Sequence, residues 1–522
     1  MLSWTNIRWG GGQNTRKINP LFKDVKEYNK YLLSLIGIFV LLLTGIISYN
    51  YTNTSYAKWS SSVESKNTIK VYVKIPNLDT SGANAPVLSS NMIPVYYDSS
   101  SNSWKKADSN NSDEGNKWYD YDNKMWANAV TVSNINRDTY LKASAGTEIS
   151  MDDINTMWIW IPRYTYTYLN TNTPEEIKIK FEKGTESTGT IKCTDTATGE
   201  SSTSETCIDS TNGGLIAGTS TYTHPAFTFG DEELTGIWVG KFEVSSDITC
   251  TVSDFIGVGS GCNLKTIRPN IKPNVTSWRG AQVGTFFNGI QKMNESNNKY
   301  GFSDSDDTHM MKNMEWGVVA YLSHSKYGIN KEVALNSVST YTTGCGPQSS
   351  GSTSSGSTCN SYNTTLGQSA STTGNVYGVY DMSGGANEYV MGDLVYTNGQ
   401  MMSGYKTSNN YNSAFTGFVL NGSSFTGTYE FPEAKYYDKY SHGTSAKEYT
   451  RGKLGDATKE MAPTDLTGNW YSDYALFLLG SNPWFLRSGR YFNDSSSGIF
   501  SFNYERGIAA SGISTRAVLV IK

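Results

Sequence analysis

Charge is scarce in this chain. Lys, Arg, Asp and Glu make up 17% of its 522 residues, and the formal net charge is only −4. No basic stripe occurs, and the aromatics stand among hydroxyl and amide side chains instead of Lys and Arg, which argues against a nucleic-acid partner. Histidine is rarer still. His224, His309, His324 and His442 are the only four; none has ligand spacing to a cysteine, and no Cys-x-x-Cys is present, so zinc is excluded. There is no Ser-His-Asp order and no histidine cluster near the C-terminal motifs, which leaves the common hydrolytic constellations unassembled. Internal repeats are absent. What the chain does have is 35 tyrosines and 13 tryptophans, a composition suited to an exported, β-rich protein of two or three domains.

Only one long apolar run is present, Tyr31 to Tyr49. It has the length of a bilayer-crossing helix, and Arg8, Arg16, Lys17, Lys23, Lys26 and Lys30 precede it, while Lys58 is the first cation after it. The positive-inside rule then predicts a cytoplasmic tail over 1–30, a transmembrane helix over 31–51, a stalk over 52–67 and everything else outside the cell membrane. A cleaved signal peptide is the alternative. All six cysteines lie beyond this run in three close pairs, Cys193 with Cys207, Cys250 with Cys262 and Cys345 with Cys359. Many pairings are open in principle, and the clustering favours three local disulfides in an oxidising compartment.

Past the stalk, Thr68 to Ile75, Met92 to Tyr97 and Trp118 to Trp126 read as short strands separated by Ser/Asn/Asp runs, giving a small β-rich module over 68–150. Trp104, Trp118 and Trp126 serve in it as buried anchors or as a sugar-stacking ladder. Met157 to Tyr164 opens a large domain, 151–522, with Pro162 marking an edge or a strand end. Insertions fall near 170–225, 340–370 and 394–478. Asp304, Asp306 and Asp307 lack the glycine and terminal glutamate of a calcium loop and read as a solvated turn.

The most informative stretch is Gly378 to Val390, Gly-Val-Tyr-Asp-Met-Ser-Gly-Gly-Ala-Asn-Glu-Tyr-Val. Asp381 and Glu388 offer hard carboxylate oxygens, and Ser383, Gly384 and Gly385 permit a backbone tight enough to aim carbonyls at one cation. Four further blocks accompany it in order: Ile237 to Val244, Met311 to Gly317 running on to Ala320 as a helix, Arg487 to Tyr491, and Ser514 to Ile521. Together these blocks resemble the formylglycine-generating enzyme (sulfatase-modifying factor) family. That resemblance implies an α+β, C-type-lectin-like domain over the last 300 or so residues. It also implies a structural calcium held by the Asp381 and Glu388 side chains and the Gly384 and Ala386 carbonyls, with Asn387 standing where the family has an aromatic.

The resemblance implies no catalysis. The family's two copper-binding cysteines align with Asn493 and Gly498, neither of which is a soft sulfur ligand, so copper is not expected. The chain is therefore similar to the non-catalytic branch, the variable proteins of diversity-generating retroelements, and is expected to bind an extracellular protein or glycan without turnover. A diverged formylglycine-type enzyme acting on peptides and an invariant structural adhesin are the alternatives. The ligand surface is expected between Tyr491 and Ile513, where Tyr491, Asn493, Asp494, Ser496, Ser501, Asn503, Tyr504 and Arg506 interleave small polar with large side chains as binding loops do. Period-2 alternation predicts Phe500 and Phe502 inward and Ile499, Ser501 and Asn503 outward.

Overall fold

The computed structural model describes residues 60–63, 69–72, 77–198, 202–250, 262–396, 401–405, 415, 418–421, 424–426, 432–463 and 469–522. Two compact units divide it, Met1–Pro76 and Asn77–Lys522. In the first, Ser60–Val63 and Ile69–Tyr72 pair as an antiparallel hairpin, the second of these strands lying inside the predicted 68–75 strand.

The second unit is built on a seven-stranded antiparallel sheet. Its spatial order is Asp306–Met310, Ala517–Ile521, Gly236–Gly240, Ile154–Pro162, Asn128–Val132, Ile93–Asp98 and Ser103–Lys106. The central strand is an almost unbroken apolar run, Met157 to Ile161, because both of its faces are covered: Trp158 and Ile159 are as buried as Trp160 and Ile161. Trp160 lies directly opposite Trp238, with ring centroids 5.3 Å apart. The close approach requires glycine at 236, where a Cβ would stand 2.4 Å from the Trp160 ring. Pro162 ends this strand, as expected, opposite Gly236.

A second sheet carries the C-terminal motifs. Asp438–Tyr440, Asn387–Leu394, Trp484–Ser488 and Gly498–Glu505 lie side by side, and Ile513–Thr515 pairs parallel to the start of Asn387–Leu394. The helix Asn313–Ser323 is buried along its whole length and packs against Asn387–Leu394. Its first turn is closed by Glu315, whose carboxylate accepts the Lys312 N–H at 2.8 Å.

Several expectations are corrected. The described unit is predominantly β, with few and short helices, not α+β; helices were expected from the family motifs, but only Asn313–Ser323, which overlaps the expected 311–320 span and runs past it, and Val283–Gln291 exceed two turns. Among the described residues no helix is long and apolar enough to cross a membrane, and the 31–51 segment on which the single-pass anchor rested lies outside the described residues. The anchor, the membrane as a partner and the single-pass cell-membrane location are therefore not carried forward. From Asn77 onward the module expected over 68–150 is no separate body. Ile93–Asp98, Ser103–Lys106 and Asn128–Val132 are strands of the central sheet, because each needs its neighbour to bury its apolar side chains. The strand predicted at Trp118 to Trp126 falls at Asn128–Val132 instead. Trp104, Trp118 and Trp126 are at most 2% exposed, and each indole N–H is hydrogen-bonded, to Tyr362, Asn128 and Tyr327 respectively. They are anchors, not a sugar ladder. Asp306 and Asp307 are buried in an edge strand of the central sheet, held by Ser89 and His309.

All three predicted disulfides are formed, Cys193–Cys207, Cys250–Cys262 and Cys345–Cys359. The last closes a loop with a sequence separation of 14, for which chain entropy gives about 3 kcal/mol. Replacing Cys345 and Cys359 together by serine should lower the unfolding free energy by about that amount in denaturant titration, with no change in the pattern of the remaining two bridges on non-reducing peptide mapping.

Candidate functional site

The site is assembled from two tight turns that grip one another. In the first, Asp381, at φ 63°, is followed by Gly384 and Gly385, both left-handed. In the second, Ser488 is left-handed at φ 74° and Gly489 follows it. The Ser488 hydroxyl donates to the Gly384 carbonyl at 2.8 Å and to that of Asp381 at 3.2 Å, and the Tyr491 N–H donates to the Gly385 carbonyl. Left-handed backbone is costly for aspartate and serine. Here it is held by those bonds, and it turns the chain after Arg487 outward to form one wall of a cavity.

That cavity, about 290 Å³, lies between Leu486, the turn Gly489–Asn493 and the strand residues Ser501, Asn503, Tyr504 and Glu505. A bulge in the pairing of Trp484–Ser488 with Gly498–Glu505, where Arg487 opposes Phe502 but Ser488 opposes Gly498, lifts the intervening residues out of register. Phe500 and Phe502 then point into the core at 0% exposure, as predicted. Ser501 and Asn503 face the cavity. Ile499 does not follow the expected alternation; it is buried, because the bulge breaks the period and its carbonyl accepts the Trp316 indole N–H.

Of the eight predicted ligand residues, Asn493, Ser496, Ser501, Asn503 and Tyr504 line this one cavity. Asp494 lines a neighbouring cavity of about 580 Å³ with Ser383, Tyr471 and Ser497. Tyr491 and Arg506 line neither: Tyr491 packs edge-on between Tyr341 and Phe492, and Arg506 pairs with Glu505. The sequence reading missed Asn387, Tyr474, Arg490 and Phe492. Asn387 had a signal, since an amide where relatives carry an aromatic leaves a polar gap. Tyr474 had none, because it arrives from the long insertion. Tyr474 and Phe492, 46% and 44% exposed, are the only exposed aromatic side chains among the described residues, and both border this cavity.

The positions aligned with the copper cysteines have other uses. The Asn493 side chain accepts the Arg490 N–H at 2.8 Å, and a Cβ at Gly498 would stand 2.1 Å from both oxygens of the Asp473 carboxylate.

The four expected calcium ligands do not form a set that fits calcium. Both Asp381 oxygens already accept N–H groups, from Asn336, Gly344 and Glu243. The Gly384 carbonyl is taken by Ser488. The Ala386 N–H donates to Glu243, and Glu388 binds the Arg516 guanidinium at 2.6 Å. A single orphaned oxygen, Glu388 Oε2, is not a ligand shell. Arg516 supplies the positive charge that the cation was expected to bring. No other group among the described residues replaces the set: the one cluster of three His, Cys, Asp or Glu ligand atoms is Cys193, Glu205 and Cys207, whose sulfurs are spent in a disulfide.

No family model matches the chain, and no curated protein matches it. The likeness to the formylglycine-generating enzyme family rests on the quoted motifs alone.

Three buried carboxylates, Glu243, Asp381 and Glu388, share the one Arg516. Burial raises all three, most strongly Glu243, which the Asp381 and Glu388 charges push further; Glu388 reaches about 7 against the pull of Arg516. Acids raised on folding hold protons that the unfolded chain releases above its ordinary value of 4.5. The contribution of Glu388 to stability is complete below that value and is lost as pH rises through about 7. Each retained proton makes unfolding free energy fall by about 1.4 kcal/mol per pH unit in that window. Glu243→Gln, which mimics the protonated acid and still accepts the Ala386 N–H, should flatten the decline between pH 5 and pH 7 in thermal melts. The melting temperature of the parent chain should not respond to calcium or to chelators.

Proposed function

We propose that this chain is a non-catalytic binding protein that captures its ligand in the cavity between the Gly489–Asn493 turn and the Gly498–Glu505 strand. One observation carries the reading: the two exposed aromatic rings of the described structure flank the same cavity that gathers five of the eight polar and aromatic residues of the C-terminal segment. Exposed apolar surface that is contiguous rather than scattered marks an interaction site, and binding energy concentrates on such aromatic anchors. The surrounding groups are short amides and hydroxyls that hold a ligand in place without reacting with it. Three disulfides fit folding in an oxidising compartment, outside the cytoplasm. Changeable side chains on a frame fixed by Arg487 and Arg516 also suit diversification by a retroelement; a reverse transcriptase beside the gene, with a near-copy of the codons for 487–516, is its genetic signature.

Partners are sought by pull-down with the full chain. Tyr504→Ala or Phe492→Ala should weaken capture of the best partner by about 1–4 kcal/mol while leaving the melting temperature nearly unchanged. Phe502→Ala, which empties a core position, should do the reverse, costing about 3–5 kcal/mol of stability. Capture that survives simultaneous replacement of Tyr474, Phe492, Asn503 and Tyr504 by alanine moves the binding surface elsewhere.

A further inference from the structure

The cavity between the Gly489–Asn493 turn and the Gly498–Glu505 strand is lined by two charged side chains, Arg490 and Glu505, and only the acid has a counter-ion. Glu505 accepts the Arg506 N–H at 2.8 Å and pairs with its guanidinium at 3.5 Å. Asp494, the acid nearest to Arg490 in sequence, lines the neighbouring cavity instead. Among the described residues the Arg490 guanidinium makes no ion pair and donates no hydrogen bond, and its Nε is withdrawn from water without a partner. A guanidinium held at a cavity with no anion of its own is a ready site for an anion brought by a ligand.

Two neighbours fix the group. Its Cζ lies 5.8 Å from the centre of the Phe492 ring, a favourable seat for a cation. At Gly512 a Cβ would come 2.7 Å from Cζ and Nε, so the lack of a side chain there lets the planar group lie against the backbone. The Gly512 carbonyl also accepts the Asn387 N–H at 3.0 Å, which brings Asn387 to the same wall. The Asn503 amide oxygen accepts the Tyr504 N–H, leaving its Nδ2 as a donor. A guanidinium fork with two amides beside it complements a carboxylate. At about 290 Å³ the cavity lies just below the range of small-molecule sites, roughly 300–1,000 Å³. It suits one side chain inserted by a larger partner.

Resting on the binding reading above, we infer that the partner is a protein that inserts an aspartate or glutamate side chain into this cavity, its carboxylate held by Arg490 and its apolar neighbours packed on Tyr474 and Phe492. An acidic glycan would meet the same arginine. Two exposed aromatic rings beside an uncommitted arginine, however, are the composition of a protein–protein contact centre, and one face of the Phe492 ring is already taken by the guanidinium.

The test pans a phage library of random dodecapeptides on the full chain and titrates the recovered peptides by fluorescence polarisation. Enriched peptides should share an Asp or Glu beside aromatic or aliphatic residues. Exchanging that acid for its amide in the peptide should weaken binding by about 10- to 100-fold, as expected for hydrogen bonds to a charged group. Arg490→Met should weaken the acidic peptide equally and leave its amide twin unchanged, and Arg490→Lys should recover only part, because an ammonium lacks the fork. The exchange in the peptide alters nothing in the protein, and Arg490→Gln stands in should Arg490→Met lower the melting temperature. Recovery of no peptide, enrichment without a shared acid, or acidic peptides indifferent to the loss of the Arg490 charge each overturns the inference. So does Arg490-dependent binding of sialyllactose or oligogalacturonate when no peptide is recovered, since the carboxylate then belongs to a glycan. If the enriched peptides lack an acid but lose binding on Phe492→Ala, the charge requirement falls and the binding site stands. If peptide binding survives both Arg490→Met and the replacement of Tyr474, Phe492, Asn503 and Tyr504 by alanine, both fall.

Discussion

Everything in the second unit is registered on one buried guanidinium. Arg516 is fully buried and makes three bonds: to the Gly240 carbonyl on the central sheet, to the Tyr380 carbonyl at the start of the signature turn, and to Glu388 on the second sheet. Its planar fork suits such divergent acceptors where a lysine would not. A buried ion pair is not in itself strong evidence of stability, since an apolar replacement of equal volume is often as good. Its value here is geometric. The strand Ala517–Ile521 leaves Arg516 to enter the central sheet between Asp306–Met310 and Gly236–Gly240, so one residue joins the last strand of one sheet to the turn and strand that organise the other.

Lys241 does similar work one step away. It follows the strand Gly236–Gly240 and is fully buried without a carboxylate partner. Its amino group donates to Asn128 and to the carbonyls of Val376 and Gly378, and lies 5.0 Å from the centre of the Trp104 ring. Burial pushes its pKa well down, while three carbonyl oxygens and the ring favour retention of the charge. The residues before the signature turn are thus fixed from Lys241 and those after it from Arg516. Between these anchors the left-handed Asp381 is held, and through Ser488 so is the wall of the cavity. Tyr471 and Asp494 are also left-handed non-glycine residues, and they line the larger cavity. Strained backbone of this kind is tolerated beside the cavities because the scaffold behind them is fixed.

How far the sequence could be read follows from how local each determinant is. Disulfide pairing was legible because each bridge closes a short loop. The strand ending at Pro162 was legible because an imino acid acts on its immediate neighbours, whereas the helix around Glu315 was expected only from the motif it resembles. Five of the cavity residues were legible because they sit on one strand and one turn. The calcium set was misread for a reason that spacing cannot reveal: Arg516, distant in sequence, occupies the charge position, and Asn336 and Gly344, from another loop, saturate Asp381. The division at residue 150 failed likewise, because strand pairing between Asn128–Val132 and Ile154–Pro162 is a tertiary fact. Tyr474 was invisible for the same cause, arriving at the cavity from an insertion whose path no local pattern encodes.

The insertion that brings Tyr474 also resolves a hazard of the architecture. Gly498–Glu505 is the last strand along one side of the second sheet, and an exposed edge of alternating aromatics invites pairing with another chain. Segment 474–476 lies along that edge. The Phe502 N–H donates to the Tyr474 carbonyl at 2.8 Å, and the Leu476 N–H donates to the Phe502 carbonyl at 2.9 Å. The bonds that cap the edge are therefore the bonds that place the Tyr474 ring at the mouth of the cavity. Beyond Phe502 the Tyr504 N–H is satisfied by the Asn503 side chain, so two residues of the candidate site end the strand without offering it for extension. Protection of the edge and placement of the exposed rings are one arrangement, which is why the cavity can carry those rings on a sheet margin without making that margin adhesive along its length.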